Sequence, residues 1–361
     1  MPATGLYISQ IEGKPGQVYY PLELRPFEVP TLKDTQVLIK ITACALNHRD
    51  LFIRQALYPG ISFSVPLCAD AVGIVTSTGS SAKQWAGKRV VINPGTGWKS
   101  DPAGPEDPTG YKFVGGTKLN PNGAAVTQYV SEANELEDAP DHLSDFEAAA
   151  LPLAGLTGFR ATHTKAKEAM APGKNVLVTG IGGGVAIMAM LFAAGAGANV
   201  YVSSGSAEKI RKAVEMGAKG GINYKEQDWE KKLVAMLPKE NKLLDAIIDG
   251  AGGDIVTSGV KLLKAGGCIV QYGMTVGPKM TWSMSAVMRN IDLRGSTMGS
   301  RKEFADMVSF VREKKLRPIV SKVVNGLDNM PEVEGLFEEM KNGSQFGKLV
   351  IQIARGSSSN L

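Results

Sequence analysis

Cysteine is scarce in this chain of 361 residues. Cys44, Cys68 and Cys268 are its only three, and their scatter excludes a disulfide framework and suits a reducing compartment, read as the cytoplasm. Long apolar runs are also missing. None reaches the roughly 20 residues that cross a bilayer, so no membrane association is expected. The N-terminus, MPATGLYISQIEGKPG, has no basic stretch ahead of an apolar core, so no secretory signal is read there. Charge of one sign is not in large excess: the formal net charge is +5, and the lysines and arginines are spread along helical stretches. A nucleic-acid surface needs them clustered and interleaved with aromatics, so no nucleic-acid partner is expected. No stretch recurs at a solenoid period, which excludes a repeat architecture.

Glycine, by contrast, is concentrated where it carries information. Asn175 to Asn199 reads NVLVTGIGGGVAIMAMLFAAGAGAN. A β-branched run, Val176 to Val178, leads into Gly180, Gly182, Gly183 and Gly184, and then into an apolar helical segment from Val185 to Ala194. Strand, glycine turn and helix in that order suit a dinucleotide. The turn is tight, the backbone approaches a pyrophosphate without Cβ clashes, and the helix N-terminus points N–H groups at the phosphates. Counted from Ile181 the spacing departs from strict G-x-G-x-x-G, its last slot being Ala186, which the looser motif permits.

Residues ahead of this turn read as mostly β. Asp34 to Ala43 alternates polar and apolar, and Leu67 to Thr78, Gly87 to Pro94 and Ala125 to Val130 are further strands. Gly73, inside the second of these, predicts a bulge or a close backbone approach. A long Gly, Pro, Asp and Asn-rich loop fills 93–124. A helix is expected from Asp145 through Arg160, past a proline. After residue 175 strands and helices alternate to Ile291–Gly295, which predicts a parallel, doubly wound sheet. Amphipathic helices follow at Phe304 to Lys314 and Glu332 to Asn342, then a strand at Lys348 to Ile353.

Several strings occur together in one order: Ala45-Leu-Asn-His-Arg-Asp50, Tyr58-Pro59-Gly60, Asp70-Ala-Val-Gly-Ile-Val75, Leu151-Pro-Leu-Ala-Gly-Leu-Thr157, Thr179-Gly-Ile-Gly-Gly-Gly-Val185, Ile222-Asn-Tyr224, Asp249-Gly-Ala-Gly-Gly253, Leu293-Arg-Gly-Ser296 and Phe346-Gly-Lys-Leu-Val350. Over nearly its whole length the chain resembles the medium-chain dehydrogenase/reductases, in their zinc-independent quinone oxidoreductase and enone reductase branch. The resemblance implies an α/β protein. A β-rich GroES-like catalytic domain at 1–154 and 297–361 would accompany a doubly wound parallel (Rossmann) cofactor domain at 155–296. In zinc-dependent relatives a cysteine stands at the slot of Asn47, and a Gly-His-Glu triplet stands where Cys68-Ala69-Asp70 is found here. Their four-cysteine lobe would fall in 93–124, which has no cysteine, and His48, His142 and His163 are too dispersed to substitute. No metal is therefore expected, and Cys44 and Cys68 read as buried small hydrophobes.

A carboxylate ends the second strand of NAD-selective folds and takes hydrogen bonds from the ribose 2′-OH. Here the slot is Ser204, flanked by Ser203, Gly205 and Ser206 with Lys209 one helical turn on, so the expected cofactor is NADPH. The resemblance adds Tyr224 along the adenosine phosphate and Thr157 near the nicotinamide. The cofactor-binding set is thus Thr157, Gly182, Gly183, Gly184, Val185, Ser203, Ser204, Lys209, Tyr224 and Gly273. By resemblance Asn47 sits near the nicotinamide and Tyr58 at the cleft mouth, as the catalytic pair. Asp50 is expected to orient local backbone, or Arg49 and Arg54.

The implied activity is metal-free hydride transfer from NADPH to a small-molecule quinone or α,β-unsaturated carbonyl. The alternatives are a trans-acting enoyl thioester reductase and a low-turnover NADPH-binding structural protein. A homodimer is expected by resemblance, through an edge strand at Lys279 to Met284. Arg355 to Leu361 reads as a flexible tail.

Overall fold

The computed structural model describes residues 2–277 and 279–353, so the tail at Arg355 to Leu361 lies outside the described residues. The chain divides into two compact units, Met1–Leu153 with Ser300–Leu361, and Ala154–Gly299.

Among the described residues of the first unit lies a seven-stranded sheet. Its order is Val320–Asn325, Lys348–Gln352, Gln36–Ala45, Asp70–Thr78, Arg89–Ile92, Leu136–Asp138, with Gln128–Glu132 also paired to Gln36–Ala45. Val37, Ile39 and Ile41 are fully buried, as the alternation in that strand requires. Gly73 meets both expectations. The pairing slips between Ile41 and Ala43 opposite it, and a Cβ there would lie 2.4 Å from the Lys40 carbonyl oxygen.

Several boundaries differ from the sequence reading, each for a local reason. The second strand begins at Asp70 rather than Leu67, because Cys68 has a left-handed φ of 62° and turns the chain. Residues Ala124 and Ala125 donate to the carbonyls of Cys68 and Leu67, so the next strand starts only at Gln128. The helix expected across Asp145 to Arg160 is broken into Asp145–Ala149 and Pro152–Phe159. Pro152 has no N–H to extend the first helix but suits the first turn of the second. The paired strands Ala3–Ile8 and Leu22–Phe27, and the strand Val320–Asn325, were not read from sequence.

The 93–124 segment is ordered. A short ribbon pairs Gly95–Thr96 with Lys112–Phe113, and Trp98, Tyr111 and Phe113 pack edge to face. The Glu106 carboxylate accepts the N–H groups of Lys99, Ser100 and Asp101 at 2.5, 2.7 and 2.8 Å, which draws its pKa down to about 2.

Among the described residues of the second unit is a six-stranded parallel sheet. Its order is Gly220–Asn223, Asn199–Ser204, Asn175–Val178, Leu244–Asp249, Leu263–Gln271, Asp292–Gly295. Its strands Asn175–Val178 and Leu244–Asp249 are buried at every position, as in parallel sheets covered on both faces. Strand order reverses beside Asn175–Val178, and ligands of such sheets sit at that reversal, outside the carboxyl ends of the strands. Lys279 to Ser283, expected as part of an edge strand, has no strand pairing, and Met284 begins a helix.

A Gly73→Ala variant is expected to lose roughly 1–3 kcal/mol of stability, the usual cost of overpacking, because its Cβ would press on the Lys40 backbone as well as on the buried Ile39 side chain. Urea unfolding monitored by circular dichroism measures the loss.

Candidate functional site

In the second unit the glycine turn ends the Asn175–Val178 strand at the reversal point. Gly180 and Gly182 have φ of 62° and 137°, values that side chains disfavour. A Cβ at Gly180 or Gly183 would meet nothing within 4 Å, so the turn presents open space there. Gly183 precedes the helix Gly184–Gly195 as its N-cap, and Gly184 and Val185 are half-buried at that N-terminus. The turn is tied to its neighbours by Ile181 N–H donating to Ser203 O and Thr179 N–H donating to Ile248 O, and the Thr179 hydroxyl donates to the Asp249 carboxylate. This open cradle at a helix N-terminus fits a pyrophosphate.

Beside it the Asn199–Ser204 strand ends in Ser203 and Ser204, both buried. Ser204 Oγ accepts the Ser206 N–H at 3.2 Å. Lys209 follows from the next helix, and its side chain lies over the turn: a Cβ on Gly182 would be 3.1 Å from Lys209 Nζ. Burial draws the Lys209 pKa down. Tyr224 is half exposed, and a Cβ on Gly205 would lie 3.1 Å from Tyr224 Oη and 3.1 Å from Lys225 Nζ. Lys225 was missed in the sequence. The signal was a second lysine next to a tyrosine already singled out. Two acids that flank these residues in sequence pair with other lysines, Glu208 with Lys212 at 2.7 Å and Glu226 with Lys232 at 2.6 Å.

Thr157 and Gly273 lie on other elements of the same unit. Thr157 is buried and its hydroxyl donates to Met298 Sδ at 3.6 Å. Gly273 follows the Leu263–Gln271 strand, where a Cβ would stand 3.2 Å from the Gly250 carbonyl oxygen.

In the first unit the second constellation gathers around Asn47, which precedes the helix His48–Arg54. Asn47 is buried. Its Nδ2 donates to Asp70 Oδ2 at 2.9 Å, and its Oδ1 accepts from Lys348 Nζ at 2.5 Å. Asp70 is fully buried, and its other oxygen accepts the Leu153 N–H at 2.7 Å. Asp50 is fully buried and accepts the N–H groups of Asn47 and Cys68, at 2.8 and 3.2 Å, while burial raises its pKa. It therefore orients backbone and lies 4.0 Å from Arg49. Arg54, also expected to answer Asp50, pairs instead with Glu334 at 2.7 Å, because its fork reaches out of the helix toward Met330–Asn342.

Tyr58 stands in the loop after that helix, half-buried, with the Arg49 guanidinium 4.8 Å from its ring centre and Phe113 edge-on at 6.2 Å. Arg49 donates to the carbonyls of Val114 and Gly115, which pins the 93–124 loop against the helix. Its ring thus held, Tyr58 makes no hydrogen bond through its hydroxyl among the described residues. Sequence reasoning missed Lys348, whose approach to Asn47 depends on pairing across three hundred positions.

Two family models match this chain, an alcohol dehydrogenase GroES-like domain over residues 33–141 and a zinc-binding dehydrogenase over 184–313. A zinc-type alcohol dehydrogenase-like protein, YogA, of Leptosphaeria maculans is 49% identical over 98% of this chain and 100% of its own length. A zinc-type alcohol dehydrogenase-like protein of Schizosaccharomyces pombe is 32% identical over 92% of this chain and 95% of its own. The solved structure of an NAD-dependent alcohol dehydrogenase is similar with a TM-score of 0.83 at 29% identity, covering 97% of this chain and 100% of that one. Zinc appears in three of those names. Among the described residues, however, no three or more His, Cys, Asp or Glu side chains gather as a metal site would require. The donors around Asn47 and Asp70 do not fit zinc, since the cation facing them is the Lys348 ammonium. No helix among the described residues is long and apolar enough to cross a membrane.

Proposed function

Because this chain belongs to the medium-chain dehydrogenase/reductase family, we propose that it is an NADPH-dependent, metal-free reductase of quinones or α,β-unsaturated carbonyls. Oxidoreduction with a nicotinamide cofactor follows from the family and its relatives. The finer reading rests on the end of the second strand of the parallel sheet. There the strand closes on Ser203-Ser204-Gly205-Ser206, with no carboxylate in that string, and Lys209 lies over Gly182 while the Lys225 and Tyr224 tips lie over Gly205. Such a surface favours a 2′-phosphate over a bare ribose hydroxyl.

When bound, the cofactor supplies the hydride. The chain's own work is binding, orientation and stabilisation of charge. The Gly180–Gly184 turn and the helix N-terminus hold the pyrophosphate. Hydride arrival leaves negative charge on the acceptor oxygen, and hydrogen-bond donors aimed at that oxygen lower the barrier. Tyr58 Oη and the second N–H of Asn47 Nδ2 serve as those donors. The three cysteines, all unpaired and buried, suit work in the reducing cytoplasm. The partner is a second copy of the chain. Leu293 on the edge strand Asp292–Gly295, and Val276, Trp282, Met284 and Met288 in the segment leading to it, expose apolar surface.

Three measurements test this reading. A Lys209→Ala variant is expected to bind NADPH about tenfold more weakly, about 1.4 kcal/mol, with NADH affinity unchanged. A fluorescence titration that finds equal losses for both removes the phosphate assignment. A Tyr58→Phe variant should turn over several enones and quinones severalfold more slowly but measurably, and unchanged kcat across the panel takes Tyr58 out of the mechanism. Sedimentation at micromolar concentration should show a dimer that a Met288→Asp variant dissociates, whereas a monomeric wild type rules the dimer out.

A further inference from the structure

We infer that Lys348 is the positioning residue of the first unit's site. Its buried ammonium takes the cation's place there and sets which way the Asn47 amide points. The inference rests on the reductase reading, since Asn47 acquires a reaction to serve only there.

Three adjacent strands bring the group together by register. Val350 pairs with Ala45 in antiparallel fashion, and Ala45 pairs with Asp70 on its other side. Two residues further along each partner, Lys348 comes opposite Asn47. The Lys348 side chain is 6% exposed and Asp70 is fully buried. An ammonium has three donors and no acceptor. All three are used, on Leu46 O at 2.6 Å, Asn47 Oδ1 at 2.5 Å and Asp70 Oδ2 at 2.9 Å.

That arrangement leaves the Asn47 amide one orientation. Turned over, its NH2 would face the ammonium and its oxygen would face the Asp70 carboxylate, donor against donor and acceptor against acceptor. As it stands, Oδ1 meets the ammonium and one Nδ2 hydrogen meets Asp70. The second Nδ2 hydrogen is then fixed in direction, and the amide is polarised by the ammonium that donates to its oxygen. It donates to the acceptor oxygen as negative charge builds there. The relatives and the family model carry zinc in their names. Here the positive charge beside Asn47 and Asp70 is an amine bonded to the chain, which no chelator removes.

The test compares Lys348→Met and Asn47→Ala, singly and together, with Asp70→Asn/Lys348→Met as the variant that leaves no lone buried carboxylate if Lys348→Met alone fails to fold. In the holoenzyme the Lys348 variant is expected to lose at least tenfold in kcat, with NADPH affinity within twofold of wild type, because the nucleotide residues belong to the other unit. Adding Asn47→Ala should cost nothing more. A kcat within twofold of wild type, or losses that multiply in the combined variant, overturns the inference. Wild-type protein that oxidises NADPH with no quinone or enone instead defeats the reductase reading. In that case a crystal structure of the Asp70→Asn/Lys348→Met variant decides the positioning claim: a turned Asn47 amide supports it, and an unturned one overturns it. Supplying EDTA to the wild type should leave kcat unchanged, and a loss restored by zinc overturns the claim that the ammonium takes the cation's place.

Discussion

Two opposite charges, on Lys348 and Asp70, lie together inside the first unit almost without solvent. Desolvating such a pair costs several kcal/mol per ion, and it persists only where geometry and further hydrogen bonds return that energy. Here they do. The ammonium has three acceptors and the carboxylate three donors, from Asn47, Lys348 and the Leu153 backbone. The strands must therefore hold their register within a fraction of a residue, because a slip of one position would turn each side chain to the other face and strand both charges. The bulge opposite Gly73 and the tight approach of Gly73 to the Lys40 carbonyl lie in the same pairing of Gln36–Ala45 with Asp70–Thr78.

The second unit depends on backbone rather than on charge. Its sheet reverses order at Asn175–Val178, and the left-handed residues Gly180 and Gly182 let the chain leave that strand and enter a helix without side chains over the turn. Lys209 then reaches across Gly182 because nothing but hydrogen stands there. The glycine both frees the backbone and admits the lysine, so the cradle and the cation beside it are one construction.

How far the sequence was legible follows from the range of the interactions. The glycine turn, the strand before it and the helix after it are contiguous, and their pattern was readable residue by residue. The places of Ser204, Lys209 and Tyr224 in the fold were legible because each lies at or soon after the end of a strand in that local alternation. Lys348 was not, although the string that holds it was noticed, because its meaning depends on pairing with a strand three hundred residues earlier. Val320–Asn325 was missed for the same reason: its burial alternates only weakly, and it is a strand through parallel pairing with Lys348–Gln352. The break at Pro152 lay in the sequence as a proline, but an apolar run on both sides suggested continuity.

The 93–124 loop shows how a segment without cysteine or cluster of metal ligands keeps a fixed shape. A crosslink by metal would gather side chains at one point. Here the work is distributed. Glu106 gathers three consecutive N–H groups, Arg49 holds two consecutive carbonyls from outside the loop, and three aromatic rings pack edge to face. Arg49 also lies against Tyr58, so the residue that pins the loop sets the ring of the proposed donor. Loop shape and donor position are therefore coupled through one guanidinium, in the same manner that Lys348 couples the strand register to the Asn47 amide. In both places a cationic side chain with a fixed number of donors does the positioning, and the acceptors it must satisfy are what make the position unique.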